Sequence, residues 1–290
     1  TMKLFKAIRY DLRFGIYESS KRYFLIALFA AFVFVCLIFD MVHISVFLTG
    51  SVNGVWRLPI ALGDVLLFEL GGYLPISQNV GEGFSFPTIW FLSIIIPCYL
   101  TLSYTTRDLS GSGIQVITRL QSKGRWWASK CILNATTIIL YYAVIYIVIA
   151  ALCFVFGFGL SFIPDETIFS AEFSAVFLAS QTTNLRMFLA LCLMPCIITV
   201  ALSLVQMTMT LFIKPAFAYI AICVYLAASV LCVYPFFITN FAMPVRSSAV
   251  GIYNFDFTSC LITAAAIALA AIVVGRFRIL RMDILQGGKE

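Results

Sequence analysis

Long apolar runs recur along this chain, and short polar or charged stretches separate them. Six runs are long enough to cross a bilayer, which takes about 20 mostly apolar residues in a helix. They cover residues 23–48, 86–106, 131–158, 187–213, 216–238 and 258–275. Lys214 and Pro215 separate the fourth run from the fifth, because proline cannot continue a regular helix and lysine avoids the bilayer centre. The pattern predicts an all-α polytopic membrane protein with six transmembrane helices.

The composition agrees with this prediction. The chain has 290 residues, of which 62% are apolar and 11% are charged, whereas a soluble domain has about 25% charged residues. One membrane domain over residues 23–280 and a cytoplasmic tail at 281–290 leave no room for a large soluble domain. The nine cysteines lie in or beside the apolar runs, where cysteine behaves as a small hydrophobe. With a single histidine in the chain, neither a disulfide framework nor a metal site is predicted.

The basic residues predict the orientation of the six helices. If the N-terminus is cytoplasmic, sixteen of the nineteen Lys and Arg residues fall in cytoplasmic segments, and the other side holds Arg57, Arg186 and Arg246. Cytoplasmic loops of membrane proteins carry such an excess, so both termini are expected to be cytoplasmic. The net charge of +6 is therefore interpreted as a topology signal, and no nucleic acid is expected as a partner.

Three segments outside the apolar runs have a predicted structure of their own. Residues 1–22 place apolar and basic side chains on different helical faces, which predicts an interfacial amphipathic helix on the inner leaflet. The external loop at 49–85 contains an apolar stretch at 60–70 that is expected to dip into the interface. The external segment at 161–186 predicts an amphipathic helix or a lid.

The most informative segment is the basic loop at 107–130, between the second and third runs. Gly111 and Gly113 interrupt the incoming helix, and Gly124 suits the C-terminal end of a second, short helix. Trp126 and Trp127 lie where aromatic rings anchor a span at the headgroup level. Between the glycines, apolar side chains recur at helical spacing: Ile114, Ile117 and Leu120. The loop therefore predicts a short helix that lies parallel to the membrane on its cytoplasmic side.

This loop, the basic amphipathic N-terminus and the six apolar runs together resemble the permease subunits of type-2 ATP-binding-cassette (ABC) exporters. The likeness is greatest to permeases of Gram-positive bacteria for antimicrobial-peptide export or self-immunity, and segment 113–130 carries it most closely. In that family the loop is a coupling helix that contacts a separate ATPase. The alternative is an ordinary basic loop that obeys the positive-inside rule. The resemblance implies an ATPase contact by Asp108, Gln115, Arg119, Gln121, Ser122, Lys123 and Arg125.

The resemblance also implies partners and an energy source. The sequence has no Gly-x-x-x-x-Gly-Lys-Ser/Thr phosphate loop, so ATP and Mg²⁺ are expected on the partner ATPase and no cofactor is expected in this chain. The expected partners are two ATPase subunits, a second copy of this chain or a homologous permease, and the lipid of a bacterial cell membrane. The chain departs from the family in that its first two external loops are the longer ones, which leaves the substrate class open.

Two of the apolar runs carry polar side chains along one helical face. Polar groups at membrane depth turn away from lipid, towards other helices or a cavity. One interpretation is hydrogen bonding between helices, and the other is the wall of a translocation route. The candidate route residues are Thr101 and Tyr104 in the second run and Thr199, Ser203, Gln206 and Thr210 in the fourth.

Three other classes of membrane protein are alternatives to an exporter permease. An ATP-independent secondary carrier or channel usually has internal repeats, and none is apparent between residues 23–158 and 187–280. An intramembrane enzyme needs an acid–base constellation, which the runs lack, so the chain is not expected to be an enzyme. A membrane sensor or accessory subunit that binds a peptide through the external loops is the third alternative. The substrate of an exporter would be a peptide, a lipid or a drug.

Overall fold

A computed structural model of the chain describes residues 20–49, 59–74, 86–102, 122–173, 182–234, 236–250, 253 and 255–282. Every regular element in these ranges is helical, which confirms the all-α prediction. The only β-type contacts among them are two isolated bridges, Ala61–Gly159 and Ser247–Phe255. The predicted amphipathic helix at 1–22 lies almost wholly outside the described residues.

The described part of the chain forms eight α-helices in the order expected from the apolar pattern. Two short 3₁₀ helices, Ile238–Ala242 and Pro244–Arg246, lie between the last two. The α-helices are α1 (Ser20–Thr49), α2 (Leu62–Leu70), α3 (Thr88–Leu102), α4 (Lys123–Phe156), α5 (Glu166–Phe173), α6 (Asn184–Met209), α7 (Pro215–Leu231) and α8 (Phe257–Arg281).

Three of these helices, α4, α6 and α8, are long and apolar enough to cross a membrane. They coincide with the third, fourth and sixth predicted spans. The segment Ile26–Asp40 of α1, together with α3 and α7, forms shorter apolar helices at the positions of the other three spans. Helix α5 lies in the segment 161–186, for which an amphipathic helix or a lid was predicted. Helix α2 covers most of the apolar stretch at 60–70, for which no helix was predicted.

Three helix ends differ from the predicted span boundaries by six to eight residues, in α4, α7 and α8, and α8 continues to Arg281 instead of ending at Gly275. Helix α4 begins at Lys123 instead of Cys131, because the Ser122 hydroxyl caps it and accepts a hydrogen bond from the Arg125 amide over 3.4 Å. Gly124 therefore lies in the first turn of α4 and does not end a preceding helix. Helix α7 ends at Leu231, well short of residue 238, since the chain then turns into the 3₁₀ segments.

Helix α6 is the centre of the bundle and packs against α3, α4, α7 and α8. In the most apolar stretch of α6, 61% of the residues are buried, whereas the corresponding share in α8 is 17%. Helix α8 therefore lies at the periphery of the bundle. A π-helical turn, Leu189–Leu193, precedes Pro195, which cannot donate to the carbonyl of Leu191. The Tyr146 hydroxyl of α4 lies 3.5 Å from that carbonyl and 2.8 Å from that of Cys192, which compensates for the interrupted helix ladder.

Candidate functional site at the start of α4

Three of the seven predicted coupling residues lie in the described part of the chain. Ser122, Lys123 and Arg125 are described. Ser122 is the N-cap of α4, Lys123 is half-buried, and the side chain of Arg125 is exposed. The other members of the set lie outside the described residues: Asp108, Gln115, Arg119 and Gln121.

Lys123 ties the start of α4 to the end of α8. Its Nζ donates to the main-chain carbonyl of Met282 over 2.6 Å, and Met282 is the C-cap residue of α8. A cation at the C-terminal end of a helix is favoured, because the last carbonyls have no partner within the helix. The first residue of α4 is therefore bonded to the C-terminal end of α8, although the two segments are far apart in sequence.

Trp127 makes a second contact between the same two helices. Its Nε1 donates to the Ile272 carbonyl of α8 over 3.0 Å, and the side chain is only 1% exposed. The indole lies where a Cβ of Gly275 would be, since an ideal Cβ built there would come within 2.1 Å of the ring. Trp126 is also fully buried, with Lys130 Nζ 5.6 Å from its ring centroid. Both tryptophans pack between helices, whereas rings that anchor a span at the headgroup level would lie on the surface of the bundle.

Arg278 adds the turn between α6 and α7 to this arrangement. Its Nε lies 3.4 Å from the Leu211 carbonyl, and its guanidinium stacks over the Phe212 ring at 5.1 Å from the centroid. Three separate polar contacts thus join the start of α4, the end of α8 and the α6–α7 turn. We call this group the α4–α8 clamp, defined by Lys123, Trp127, Gly275, Arg278 and Met282.

The end of the bundle that contains the α4–α8 clamp is strongly basic. Within the ranges that the structure describes, it carries no aspartate or glutamate. No acidic side chain lies in the first turn of α4, although acidic residues are favoured there. The described cations at this end are Lys123, Arg125, Lys130, Lys214, Arg276, Arg278 and Arg281.

Three candidate route residues lie in α6, Thr210 is its C-cap residue, and all four are buried. Thr199 donates to the carbonyl of Pro195 over 2.7 Å and also bonds the Tyr142 hydroxyl of α4 over 2.9 Å. Ser203 and Thr210 donate to carbonyls of α6 itself, those of Val200 and Met207. The hydroxyls in this row are therefore satisfied mainly within their own helix, and Thr199 also connects it to α4.

Gln206 joins the polar rows of α6 and α3. Its Nε2 donates to the carbonyl of Cys98 in α3 over 3.1 Å, and its Oε1 has no hydrogen-bond partner among the described residues. Thr101 donates to the same carbonyl over 3.1 Å, so the structure brings Thr101 and Gln206 together. Tyr104, the remaining candidate, lies outside the described residues.

Sequence reasoning did not single out Arg246, which is completely buried in the segment that connects α7 to α8. Its guanidinium donates to the Tyr73 and Val230 carbonyls over 2.8 Å, to the Ser229 carbonyl over 2.9 Å and to Asn240 Oδ1. Burial lowers its pKa to about 10, so it stays charged at neutral pH. Arg246 is the only charged residue in the sequence between Lys214 and Asp256, and this isolation was the available signal.

Asp64 was also missed, and it lies in the first turn of α2 with 4% of its surface exposed. Its carboxylate accepts from the Ala61 amide over 2.8 Å and from the Asp165 amide over 3.0 Å. Burial raises the pKa of Asp64 to about 7, against the lowering effect of these two hydrogen bonds. The carboxyl group joins the two segments that were predicted as separate external loops.

The fold and these contacts define an all-helical protein with three helices that are long and apolar enough to cross a membrane. The chain belongs to DUF2705, a family of proteins of unknown function, whose model matches residues 62–285. The matched region begins at α2 and extends beyond α8, so it contains the whole α4–α8 clamp and both polar rows. Neither a curated protein nor a solved structure matches the chain.

Proposed function

We propose that this protein is the permease subunit of an ATP-driven exporter of the ABC type, in which a separate ATPase supplies the energy. The observation that carries the proposal is the α4–α8 clamp. The loop that resembles a coupling helix ends at Ser122, and the next residue is bonded to the end of α8 over 2.6 Å. A force applied to the loop is therefore passed directly to α4 and α8.

The other end of the loop supports the same mechanism. The described part of α3 extends to Leu102, close to the loop in sequence, and near this end it is bonded to α6 through Gln206 and the Cys98 carbonyl. Displacement of the loop would thus move α3 against α6 at one end and α4 against α8 at the other. ATP-driven closure of the ATPase pair would use this displacement to change the side to which the transport cavity opens.

The proposal includes a topology and a set of partners. Six spans with both termini in the cytoplasm put sixteen of the nineteen basic residues on the inner side. Two copies of this chain, or this chain and a homologous permease, would enclose the route and bind two ATPase subunits in a bacterial cell membrane. ATP and Mg²⁺ would be held by the ATPase, and this chain would perform no covalent chemistry.

The buried polar rows are the proposed wall of the route. Gln206, with an amide oxygen that has no partner among the described residues, is its most polar described position. A buried amide oxygen without a hydrogen bond is costly, and a passing peptide N–H would satisfy it. The proposed cargo is a peptide or another amphipathic molecule.

Purification of the tagged chain in mild detergent tests the coupling. We expect a P-loop ATPase to be recovered with the wild-type chain in a stoichiometric amount. The double variant Gln115→Ala/Arg119→Ala should lose the ATPase, or retain it with ATP hydrolysis uncoupled from transport after reconstitution. Lys214→Ala is the control, because it removes an exposed cation from the turn between α6 and α7 and should change neither result. Normal coupling in the double variant contradicts the proposal.

The orientation has its own test. A cysteine introduced at Gln115 in a chain without native cysteines should react with a membrane-impermeant maleimide in inverted vesicles and stay unreactive in intact cells. A cysteine at Ser161, in the segment assigned to the outside, should give the opposite result. Reaction of the Gln115→Cys variant in intact cells would exclude both the orientation and the ATPase contact.

A further inference from the structure

An apolar cleft separates the middle portions of α4 and α8. It has a volume of about 390 Å³ and is lined only by apolar side chains, with α6 as its floor. Ile139 forms the wall on α4, and Leu261, Ala265 and Ala268 form the wall on α8. Ile139 is 53% exposed and Leu261 is 46% exposed, so the cleft opens to the surroundings of the bundle. It closes at one end, where Trp127 contacts Gly275.

Each wall of the cleft carries an exposed arginine beyond this closed end. On α4, Arg125 precedes Ile139 by two heptads, and Ile132 lies exposed between them on nearly the same face. On α8, Arg276 follows Ala265 by three helical turns and lies within about 20° of it around the axis. Both arginines therefore point to the side on which the cleft opens.

The distances along the helices match half a bilayer. At 1.5 Å per residue, Arg125 lies about 21 Å from the level of Ile139, and Arg276 lies about 16 Å from that of Ala265. The hydrocarbon core of one leaflet is about 15 Å thick. A lipid whose phosphate lies at the arginines would therefore extend its acyl chain to the cleft.

The charges at the arginines favour a bound anion. The Nε of Arg276 would lie 3.6 Å from a Cβ at Gly124, which puts this cation over the first turn of α4. Lys123 and Arg125 occupy the same turn, and no acidic residue does. The N-terminal end of a helix has a partial positive charge of its own, so the three cations repel both each other and the helix end. Arginine pairs well with phosphate, because its planar fork donates two parallel hydrogen bonds.

We propose that the cleft binds an anionic phospholipid, with one acyl chain on α6 between α4 and α8 and the headgroup phosphate against Arg125 and Arg276. A helix from a second copy of this apolar chain would fill the cleft but leave the cations uncompensated, whereas an anionic lipid satisfies both parts of the surface. The lipid site rests on the proposed function only in requiring that α4 and α8 cross the membrane. It does not depend on an ATPase or on transport.

Native mass spectrometry of the full-length chain, released from micelles that contain defined lipids, tests the inference. The probes are phosphatidylglycerol and phosphatidylcholine with identical acyl chains. We expect about tenfold greater retention of one phosphatidylglycerol per chain. Arg125→Gln/Arg276→Gln should reduce this to the phosphatidylcholine level. Lys214→Gln, which removes an exposed cation at the same end but away from the cleft, should leave the retention unchanged.

A second pair of variants tests the acyl-chain part of the site. Ala265 and Ala266 are both exposed on α8, but only Ala265 lines the cleft. Ala265→Phe should fill the cleft and reduce retention of phosphatidylglycerol, whereas Ala266→Phe should not. Equal retention of the two lipids would overturn the inference, as would equal results for the two phenylalanine variants or for the two charge variants. Because no ATPase is present, failure here leaves the proposed transport function untouched.

Discussion

Gln206 of α6 and Thr101 of α3 donate hydrogen bonds to the same carbonyl oxygen, that of Cys98, each over 3.1 Å. The contact between the two polar rows is therefore a main-chain carbonyl shared by two side chains. Thr101 and Cys98 both belong to α3, so of the two bonds only that of Gln206 joins α3 to α6. Loss of the Gln206 amide still leaves the Cys98 carbonyl with Thr101 as a donor. A substitution at Gln206 must therefore be measured for stability and for transport separately.

Gln206→Leu accordingly separates packing from transport. The change removes one of two donors to Cys98 and also removes an amide oxygen that has no partner among the described residues. We expect the free energy of unfolding to change by no more than about 1 kcal/mol. If the polar row is the route, transport by the reconstituted complex should fall severalfold. Thr137→Val, which removes a hydroxyl bonded only to its own helix, is the control. Unchanged transport in the Gln206→Leu variant would remove this residue from the route.

The contact between Trp127 and Gly275 gives a prediction about stability. Alanine at 275 would place its Cβ 2.1 Å from the buried indole, and Trp127 is held there by its hydrogen bond to Ile272. We expect Gly275→Ala to destabilise the protein by about 1–3 kcal/mol through overpacking. The midpoint of thermal unfolding in detergent, followed by tryptophan fluorescence, measures the effect.

Gly124→Ala is the matched control for this prediction. A Cβ at 124 meets only the Arg276 Nε, at an ordinary contact distance of 3.6 Å. Alanine is also about 1 kcal/mol better than glycine in a helix, so Gly124→Ala should leave the midpoint unchanged or raise it. Equal midpoints for the two alanine variants would show that the α4–α8 contact is looser than described.

The sequence predicted the helices better than the contacts between them. Runs of apolar residues depend on local composition, so α4, α6 and α8 lie where the runs indicated. The spacing of the polar residues in α6 likewise predicted that Thr199 and Gln206 share one face of the helix. Trp127 was misinterpreted because its burial depends on Gly275, far along the chain, and no local pattern reports such a contact.

The start of α4 was also predicted incorrectly, for a related reason. Gly124 resembles a helix end in isolation, but the Ser122 cap and the packing of the next turn against α8 extend the helix through it. Arg246 was placed on the outer side because it lies between the fifth and sixth apolar runs. Its burial depends on carbonyls supplied by α7 and by Tyr73, which come together only in the folded chain.

Arg246→Ala should be among the most destabilising substitutions outside the apolar helices. It would remove the donors of four hydrogen bonds and leave the Tyr73, Ser229 and Val230 carbonyls and the Asn240 side chain without this partner. Hydrogen bonds to charged groups are worth more than neutral ones, and the total cost should be about 3–5 kcal/mol. Arg246→Lys keeps the charge but lacks the planar fork, so it should recover only part of the loss. Unfolding midpoints and the yield of monodisperse protein measure this.

Arg186→Ala provides the comparison. Arg186 is exposed in the first turn of α6, and its removal should change stability by less than about 0.5 kcal/mol. If Arg246→Ala and Arg186→Ala behave alike, the buried hydrogen bonds of Arg246 do not hold this region together.

Asp64 predicts how stability depends on pH. Its pKa is raised from 3.8 to about 7 in the folded protein, mainly by burial. Between these values the folded protein holds a proton that the unfolded chain has released. The contribution of Asp64 is therefore fully present below pH 3.8 and is lost as the pH rises through about 7. The Asp256 carboxylate accepts a hydrogen bond from the Ser259 hydroxyl over 2.5 Å, which lowers the pKa of Asp256. The contribution of Asp256 to stability therefore depends on pH in the opposite direction and is lost only in acid.

The measurement is the thermal unfolding midpoint of the full chain in detergent at pH 5 and pH 8. The wild-type midpoint should fall by about 5 °C over this interval because of Asp64. Asp64→Asn imitates the neutral carboxyl, so this variant should lose most of that decrease, at a constant cost from the impaired hydrogen bond to the Ala61 or the Asp165 amide. Asp256→Asn should retain the wild-type decrease, because Asp256 does not titrate in this range. A decrease of the same size in Asp64→Asn would mean that another group titrates there and that the Asp64 carboxylate is solvated in the folded protein.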